Sequence, residues 1–489
     1  MAGIGIKLNK IYRKKSIVAH LYGFSYSTVI TVAPMFVVIG AILLSQILLS
    51  FRDVGYMQRE LFSDTVLYIF IFSLLMASPF NAVLSKYISD MIFEEKYGAI
   101  MPCFYAGLGM NTALGSLFGI PFCVREYIVG KVPLYYVFTG YCGYMALLLV
   151  FYTMLYLSIT KSYGKISLFF IIGMCFTVLL SVIFHWLLGM EATYSLLLAL
   201  VIGFVIICEL EIALLRSFFL RNNGAYRPVF RYMKKYWKMI VINFLYILGL
   251  YIHNFVFWTT DMKNVLVHTF VTAQPYDMAT CLAMFTNISA TIIFITNVEL
   301  HFRDRYRRYF EAVIGGRGHD IVSAKKRMFR QLSTEIMSLI RIQFIISVVV
   351  FLICMVILPM IGFSGRIMRM YPCLSVGYFI LFVMYSEVLF LYYFDDLTGA
   401  LAAAASFCFL TFIGSIGASF LTEVWYGSGL ILGALSGFSV AYFRLRWVEN
   451  NLDEYTFCQG NLIPQAKGER PPSMVYQKSR QPKERNAGG

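Results

Sequence analysis

The chain has 489 residues, 59% of them hydrophobic and 17% aromatic against only 14% charged, with a mean hydropathy of +0.71. A soluble protein of this length needs more polar surface than that composition supplies, so a set of soluble domains is excluded and a membrane body is indicated. The net charge of +15 would suit nucleic acid if it formed one basic face, but the positive residues are parcelled into alternate loops, which is how topology is signalled.

A helix needs roughly 20 apolar residues to cross a bilayer. Twelve runs in succession approach that length and predict spans over 20–49, 61–85, 97–123, 133–158, 166–188, 193–215, 239–260, 276–300, 342–363, 373–394, 398–420 and 424–445. The first run follows a basic stretch, as a signal peptide would, but Leu21 to Leu49 is too long and lacks a small-x-small cleavage site; a retained helix is expected. Pro34 in the first span and Pro79 in the second remove backbone donors and predict kinks.

Lys86 and Asp90 follow the second span. Between the sixth and seventh, Arg216 to Lys238 carries seven Lys or Arg and one proline. It divides the chain into an N-terminal six-helix bundle over 1–225 and a C-terminal one over 226–450. A sequence echo agrees: Ile11-Tyr12-Arg13-Lys14-Lys15 precedes span one as Arg231-Tyr232-Met233-Lys234-Lys235 precedes span seven. Asn81-Ala82-Val83 closes span two as Asn297-Val298-Glu299 closes span eight. Parallel six-helix repeats are a transporter signature. The fold class expected is all-α and integral to the membrane, with about 12 transmembrane helices in two six-helix bundles.

With an even number of spans both termini share a side. That side holds every Lys and Arg except Arg52, Arg59, Arg125, Lys131, Lys263, Arg366 and Arg369, so both termini are expected in the cytoplasm. Loops on the other side are short and leave no room for a catalytic or receptor domain there.

An ionisable group inside the bilayer costs at least a few kcal/mol, so each is a functional candidate. The seventh span carries His253, Asn254 and Trp258; Tyr276-Asp277 opens the eighth and Glu299 closes it; Glu387 lies in the tenth, with Glu209, Glu211 and His185 nearer span ends. Each has a plainer reading as a satisfied contact between helices. The translocation-path candidates are Lys86, Asp90, His253, Asn254, Trp258, Asp277 and Glu299. No Lys or Arg lies deep in a span. A lipid pyrophosphate would call for buried guanidinium or ammonium groups, whereas a neutral sugar polymer needs hydrogen-bonding side chains and aromatic faces, and the chain has 34 Tyr and 44 Phe.

The longest connector, 302–341, has helical periodicity. Phe302, Tyr306, Phe310 and Val313 share a face; after Gly315-Gly316 a second stripe runs through Ile321, Ala324, Met328, Leu332, Ile336 and Ile340. Basic amphipathic helices of this kind lie on the inner membrane surface, and Arg303, Arg307, Arg308, Lys325 and Lys326 are candidates for docking a cytoplasmic partner. Topogenic charge is the alternative. The tail over 451–489 is polar, contains Pro and Gly, and is expected to be disordered. Ten cysteines are scattered without a Cys-x-x-Cys pair, and there is no Gly-rich phosphate loop, His-Glu-x-x-His or nucleophile elbow. Asp395-Asp396 could pass for a metal-binding pair of a glycosyltransferase, but no nucleotide-binding domain surrounds it. No enzymatic activity, metal or cofactor is expected.

Several segments in order resemble one family. Met1 to Leu8, Ser85-Lys86-Tyr87-Ile88-Ser89-Asp90, Gly249 to Trp258, Tyr276-Asp277 and Glu299 to Phe310 are similar to the PelG family of exopolysaccharide transporters, and the match extends over roughly residues 1–450. The resemblance implies a twelve-helix member of the superfamily of multidrug exporters and lipid-linked oligosaccharide flippases. It further implies export of a growing amino-sugar polymer across the bacterial cytoplasmic membrane, with a PelF-like glycosyltransferase, a PelD-like cyclic-di-GMP receptor and a PelE-like scaffold as partners. Where the family pattern has an Asp-Lys pair, this chain carries His253-Asn254, so a mechanism resting on that ion pair does not carry over. Two other readings stay open: a lipid-linked oligosaccharide flippase or MATE-like solute exporter of the same fold, and a non-transporting scaffold of a polysaccharide synthase.

Overall fold

A computed structural model describes residues 17–159, 163–219, 222–287, 302–363 and 365–458. In chain order the helices are α1 (Ile17–Leu48), α2 (Tyr56–Phe93), α3 (Ile100–Ile128), α4 (Leu134–Ile159), α5 (Tyr163–Val182, prolonged by a π turn over Ile183–Leu187), α6 (Ala192–Phe218), α7 (Arg227–Lys235) and α8 (Trp237–Phe257). A hairpin follows, β1 (Asn264–Leu266) with β2 (Phe270–Thr272), then α9 (Gln274–Asn287), α10 (Arg303–Gly315), α11 (Gly318–Ile361), α12 (Gly365–Tyr393), α13 (Leu397–Ala418) and α14 (Ser428–Cys458). Ten helices among the described residues are long and apolar enough to cross a membrane, and α1 and α9 stand at the two remaining predicted spans. The chain is an all-α membrane protein of about twelve spans.

The second six spans repeat the packing of the first. Within the first set α1 packs on α5, α2 on α3 and α4, and α3 on α4; the counterparts α8 on α13, α9 on α11 and α12, and α11 on α12 recur after a shift of six spans. The helix pair α5–α6 closes where Gly203 faces the Thr177 hydroxyl, and α13–α14 closes where Gly433 faces the Thr411 hydroxyl. Small residues at such crossings let backbones approach closely, which is how helices associate without a hydrophobic drive from lipid. Two six-helix bundles result. They meet along α2 against α8, and Phe36 of α1 against Phe285 of α9, ring centroids 6.3 Å apart, supplies the symmetry-related contact.

Both predicted prolines sit inside unbroken helices. At Pro79 the missing N–H deprives the Leu75 carbonyl of its helical donor, and the Ser78 hydroxyl donates to that carbonyl at 2.8 Å instead. Asn243 of α8 donates to the adjacent Ser78 carbonyl, also at 2.8 Å, so the proline turn of α2 faces the seam between bundles.

The connector departs from expectation. Its second amphipathic stretch is not a separate surface helix: α11 runs unbroken for 44 residues, about 66 Å at 1.5 Å per residue, which is twice the hydrocarbon thickness. Its buried stripe keeps Met328 and Leu332 but then turns to Glu335, Leu339 and Gln343, while Ile336 and Ile340 are only half-buried. The polar members are paired, Gln331 donating to Glu335 at 2.6 Å and Gln343 to Ser347 at 2.8 Å, so an apolar count alone misplaced the face. The preceding α10 docks through Phe302 onto Phe390, Tyr393 and Phe394 of the α12 end, and the Tyr306 hydroxyl donates to the Tyr393 carbonyl at 2.9 Å.

The last helix continues to Cys458, eight residues into the tail expected to be disordered, because nothing before Gly460 interrupts it. Residues from Arg446 onward form a unit of their own, in which Arg446 pairs with Glu449 at 2.8 Å. The remainder of the tail, 459–489, lies outside the described residues.

Candidate functional site

Four of the seven path candidates fall into one buried cluster at the end of the seam that carries the hairpin. Two consecutive residues of α8 pair with two consecutive residues of α9. His253 Nδ1 is 2.9 Å from the Tyr276 hydroxyl, and Asn254 Nδ2 donates to Asp277 Oδ1 at 2.7 Å. Trp258 Nε1 is 3.0 Å from both Asp277 oxygens, and the Ala273 N–H donates to Oδ2 at 3.0 Å. Asp277 thereby clasps both stems of the hairpin, Trp258 where α8 ends and Ala273 where α9 begins. The Tyr378 hydroxyl of α12 lies 3.4 Å from His253 Nε2. All four are buried, His253 completely, and a buried carboxylate with three donors is the satisfied form that such a group requires.

Across the seam, Tyr68 of α2 stacks on Trp258. Beside it is a cavity of about 240 Å³ within the first bundle, lined by Tyr68, Phe72, Phe122, Glu126, Tyr136 and Tyr144, among others, and by Phe270 of the hairpin. None of the described path candidates lines it. The volume is below the roughly 300–1,000 Å³ of pockets for drug-sized ligands, and its walls are almost wholly apolar, so this conformation holds no polymer-sized passage there.

Lys86 and Asp90 lie elsewhere, on α2 but some 20 residues from Tyr68, hence about 30 Å along the helix. Lys86 reaches Asp395 of the α12–α13 turn at 3.3 Å, and the Tyr232 hydroxyl of α7 donates to Asp90. Burial, then the bond to Asp90, push the Tyr232 hydroxyl above its ordinary pKa and keep it a neutral donor. Asp396 holds Arg444 at 2.5 Å and caps α13 through the Gly399 N–H. The Asp395-Asp396 pair is thus spent on structure. The six described candidates therefore divide between the two ends of α2, and Glu299, the seventh, lies outside the described residues.

Residues 1–457 of the chain match the family model "PelG: Putative exopolysaccharide Exporter (EPS-E)". The chain belongs to the PelG family. No curated protein matches it. Among solved structures it is similar to an outward-facing MATE multidrug-resistance transporter of the MOP superfamily, with TM-score 0.56 and 13% identity over 88% of this chain and 96% of that one. The inward-facing form aligns with TM-score 0.54 and 12% identity over the same shares. A MOP superfamily transporter from Pyrococcus furiosus, described by a reversed polarity of its binding pocket, aligns with TM-score 0.55 and 14% identity over 88% and 96%. At such identities the likeness shows the fold alone, the one these MOP superfamily transporters have.

In this PelG family member several groups that the sequence reading passed over are also buried. Asp64 of α2 accepts from Thr272 at 3.3 Å and Glu126 of α3 accepts from Thr269; each keeps one oxygen without a hydrogen-bond partner among the described residues. Asp64 falls inside the predicted second span, and the rule that intramembrane carboxylates are candidates would have found it. Glu211, given both a functional and a structural reading, accepts from Thr153 across α4 and α6. Glu387 of α12 is buried with neither oxygen paired among the described residues. Of the docking candidates, Arg307 is exposed and pairs with Glu311 at 2.8 Å, Arg308 and Lys326 are exposed, and Lys325 is half-buried; for Arg303 the side chain lies outside the description.

Proposed function

We propose that this chain moves a growing Pel-like amino-sugar exopolysaccharide across the bacterial cytoplasmic membrane, as the transport component of a synthase complex and with both termini in the cytoplasm. The observation that carries the reading is the family match over residues 1–457, on a MOP transporter fold. The seam chemistry supports the substrate class. The α8–α9 cluster offers hydroxyls, an imidazole, an amide, a carboxylate and aromatic faces but no Lys or Arg, a set suited to neutral sugar hydroxyls and acetamido groups and ill-suited to a pyrophosphate. Path residues are His253, Asn254, Trp258 and Asp277 at one end and Lys86 and Asp90 toward the other, with Glu299 retained from the sequence. They would become continuous when the bundles part along α2 and α8.

Partners in this reading are a PelF-like glycosyltransferase feeding the polymer, a PelD-like cyclic-di-GMP receptor and a PelE-like scaffold, docked on the exposed basic residues of α10 and α11. The test is sugar analysis of a deletion strain against its complemented parent, following secreted polymer, cell-associated polymer and lipid-linked precursors. Loss of secreted amino-sugar polymer without lipid-linked build-up is expected. Accumulated lipid-linked oligosaccharide would make the chain a flippase, and unchanged secretion would leave it a scaffold.

A further inference from the structure

We infer that the β1–β2 hairpin is a strap that fastens the second bundle onto the first and undocks when the bundles part at that end. The hairpin belongs by sequence to the second half, yet its side chains and backbone engage the first. Tyr68 of α2 donates to the Val271 carbonyl at 2.8 Å and accepts from the Val271 N–H at 3.0 Å, so one hydroxyl occupies both backbone groups of a β2 residue. Thr272 reaches Asp64 of α2 and Thr269 reaches Glu126 of α3. Phe270 sits edge-on to Tyr68 at 5.1 Å and to Phe122 at 5.8 Å, and is the hairpin's contribution to the wall of the first bundle's cavity.

Its attachment to its own half is firm. Asp277 holds Trp258 and the Ala273 N–H, one on each stem, so the hairpin travels with α8 and α9 as one piece. Any separation of the bundles here must therefore break the contacts to Tyr68, Asp64 and Glu126 rather than those to Asp277.

The turn adds a second, independent observation. The three-residue loop between Leu266 and Phe270 places Val267 at φ 51° and His268 at φ 62°. Left-handed backbone is the province of Gly and Asn, and a β-branched residue there is an outlier. A conformation so disfavoured locally persists where its surroundings impose it, and here what surrounds it is the other bundle: the Thr269 hydroxyl that closes the loop meets Glu126, and Gly130 lacks the Cβ that would stand 2.7 Å from Thr269 Oγ1. Docked, the loop is held; released, it is free to relax, which makes the strap a reversible fastening.

That close approach supplies the test. In a full-length chain whose ten native cysteines are replaced, Gly130→Cys with Thr269→Cys is aimed to bridge the loop to α3; the Cβ gained at 130 also stands 2.7 Å from the Glu126 carbonyl, so the reduced double variant must first export as the cysteine-free parent does. Oxidation should lower polymer export more than tenfold and dithiothreitol should restore it. A chain shown by intact mass to be fully cross-linked that still exports as its reduced form does would overturn the strap. Independently of any export assay, Phe270→Cys in membranes should react with an impermeant maleimide several-fold faster when Tyr68→Phe is added, and an unchanged rate would equally overturn it. If no variant of the chain exports polymer, the export reading falls and the labelling result alone decides the strap.

Discussion

Tyr68 of α2 and Trp258 at the end of α8 lie face to face, ring centroids 5.2 Å apart and planes 7° from parallel. They come from opposite bundles, and each ring's polar group points away from the stack into its own network, Tyr68 toward the hairpin backbone and Trp258 toward Asp277. The stack is apolar area that both bundles bury together, worth about 0.5–1.5 kcal/mol beyond its area, while the Trp258 indole N–H is one of three donors that keep a buried carboxylate tolerable. Trp258→Phe preserves the face and removes the donor, whereas Trp258→Ala removes both. The first should cost about 1–3 kcal/mol, and the second distinctly more, read as the midpoint of heat-induced loss of monodisperse protein in detergent. Equal midpoints for the two variants would mean that the stack contributes nothing.

Asp277→Ala should be the most damaging single change in the cluster. It leaves Asn254, Trp258 and the Ala273 N–H without their common acceptor, and buried donors without partners cost about 1–3 kcal/mol each, though not additively. Asp277→Asn keeps the shape and one acceptor oxygen and should fall between Ala and the parent. The check is the amount of folded protein in membranes at equal expression; Asn and Ala indistinguishable from the parent would remove Asp277 from any structural role.

His253→Leu with Asn254→Leu tests the transport role of the same cluster. Both positions are interior to α8, and leucine suits a helix in lipid, so insertion should be preserved while the hydrogen-bonding groups proposed for the path are lost. Secreted polymer should drop severalfold at unchanged membrane level. Unaltered secretion at equal level would place the passage elsewhere than this cluster.

Much of this architecture was legible in the sequence, because length and apolarity are what the bilayer demands. The predicted spans 133–158 and 193–215 correspond to Leu134–Ile159 and Ala192–Phe218. Helix ends in polar sequence were not: α2 runs on through Lys86 and Asp90 to Phe93, since charged residues outside lipid are compatible with helix and no Gly or Pro stops it. The pairing of His253-Asn254 with Tyr276-Asp277 was within reach as a set of residues but not as a set of bonds. The hairpin left no signal at all, for its strands are three residues each and its turn is Val267-His268 rather than Asn-Gly. Its conformation comes from docking onto α2 and α3, contacts some 200 residues away by sequence for Tyr68 and Val271, and no local pattern encodes those.

Gly433 shows what the repeat costs to disturb. A Cβ at this position would stand 1.9 Å from the Thr411 hydroxyl, but also 2.7 Å from the Thr411 nitrogen and 2.8 Å from the Phe407 carbonyl. The hydroxyl can be removed and the backbone cannot. Gly433→Ala should therefore push α14 off α13 and cost about 1–3 kcal/mol as overpacking does, and adding Thr411→Ala should recover only part of the loss. Complete recovery in the double variant, measured by the same detergent melting, would show that the side chain alone sets the crossing.

The turn at Pro79 lends itself to a double-mutant cycle. Ser78 donates to the Leu75 carbonyl because Pro79 cannot, so the hydroxyl matters only while the proline is present. Ser78→Ala alone should cost about 1 kcal/mol, in the range of a single hydrogen bond or of a buried carbonyl left unpaired. In a Pro79→Ala background the backbone N–H gained by the substitution restores the helical bond and Ser78→Ala should cost close to nothing, giving a coupling of about 1 kcal/mol between two adjacent residues. Pro79→Ala on its own should also draw the Ser78 and Leu75 carbonyls back into regular helical bonds where Asn243 of the opposite bundle meets α2, and so lower export even as it stabilises the helix. A Pro79→Ala chain that is more heat-resistant yet exports normally would show that the proline turn is a packing feature with no part in moving the bundles.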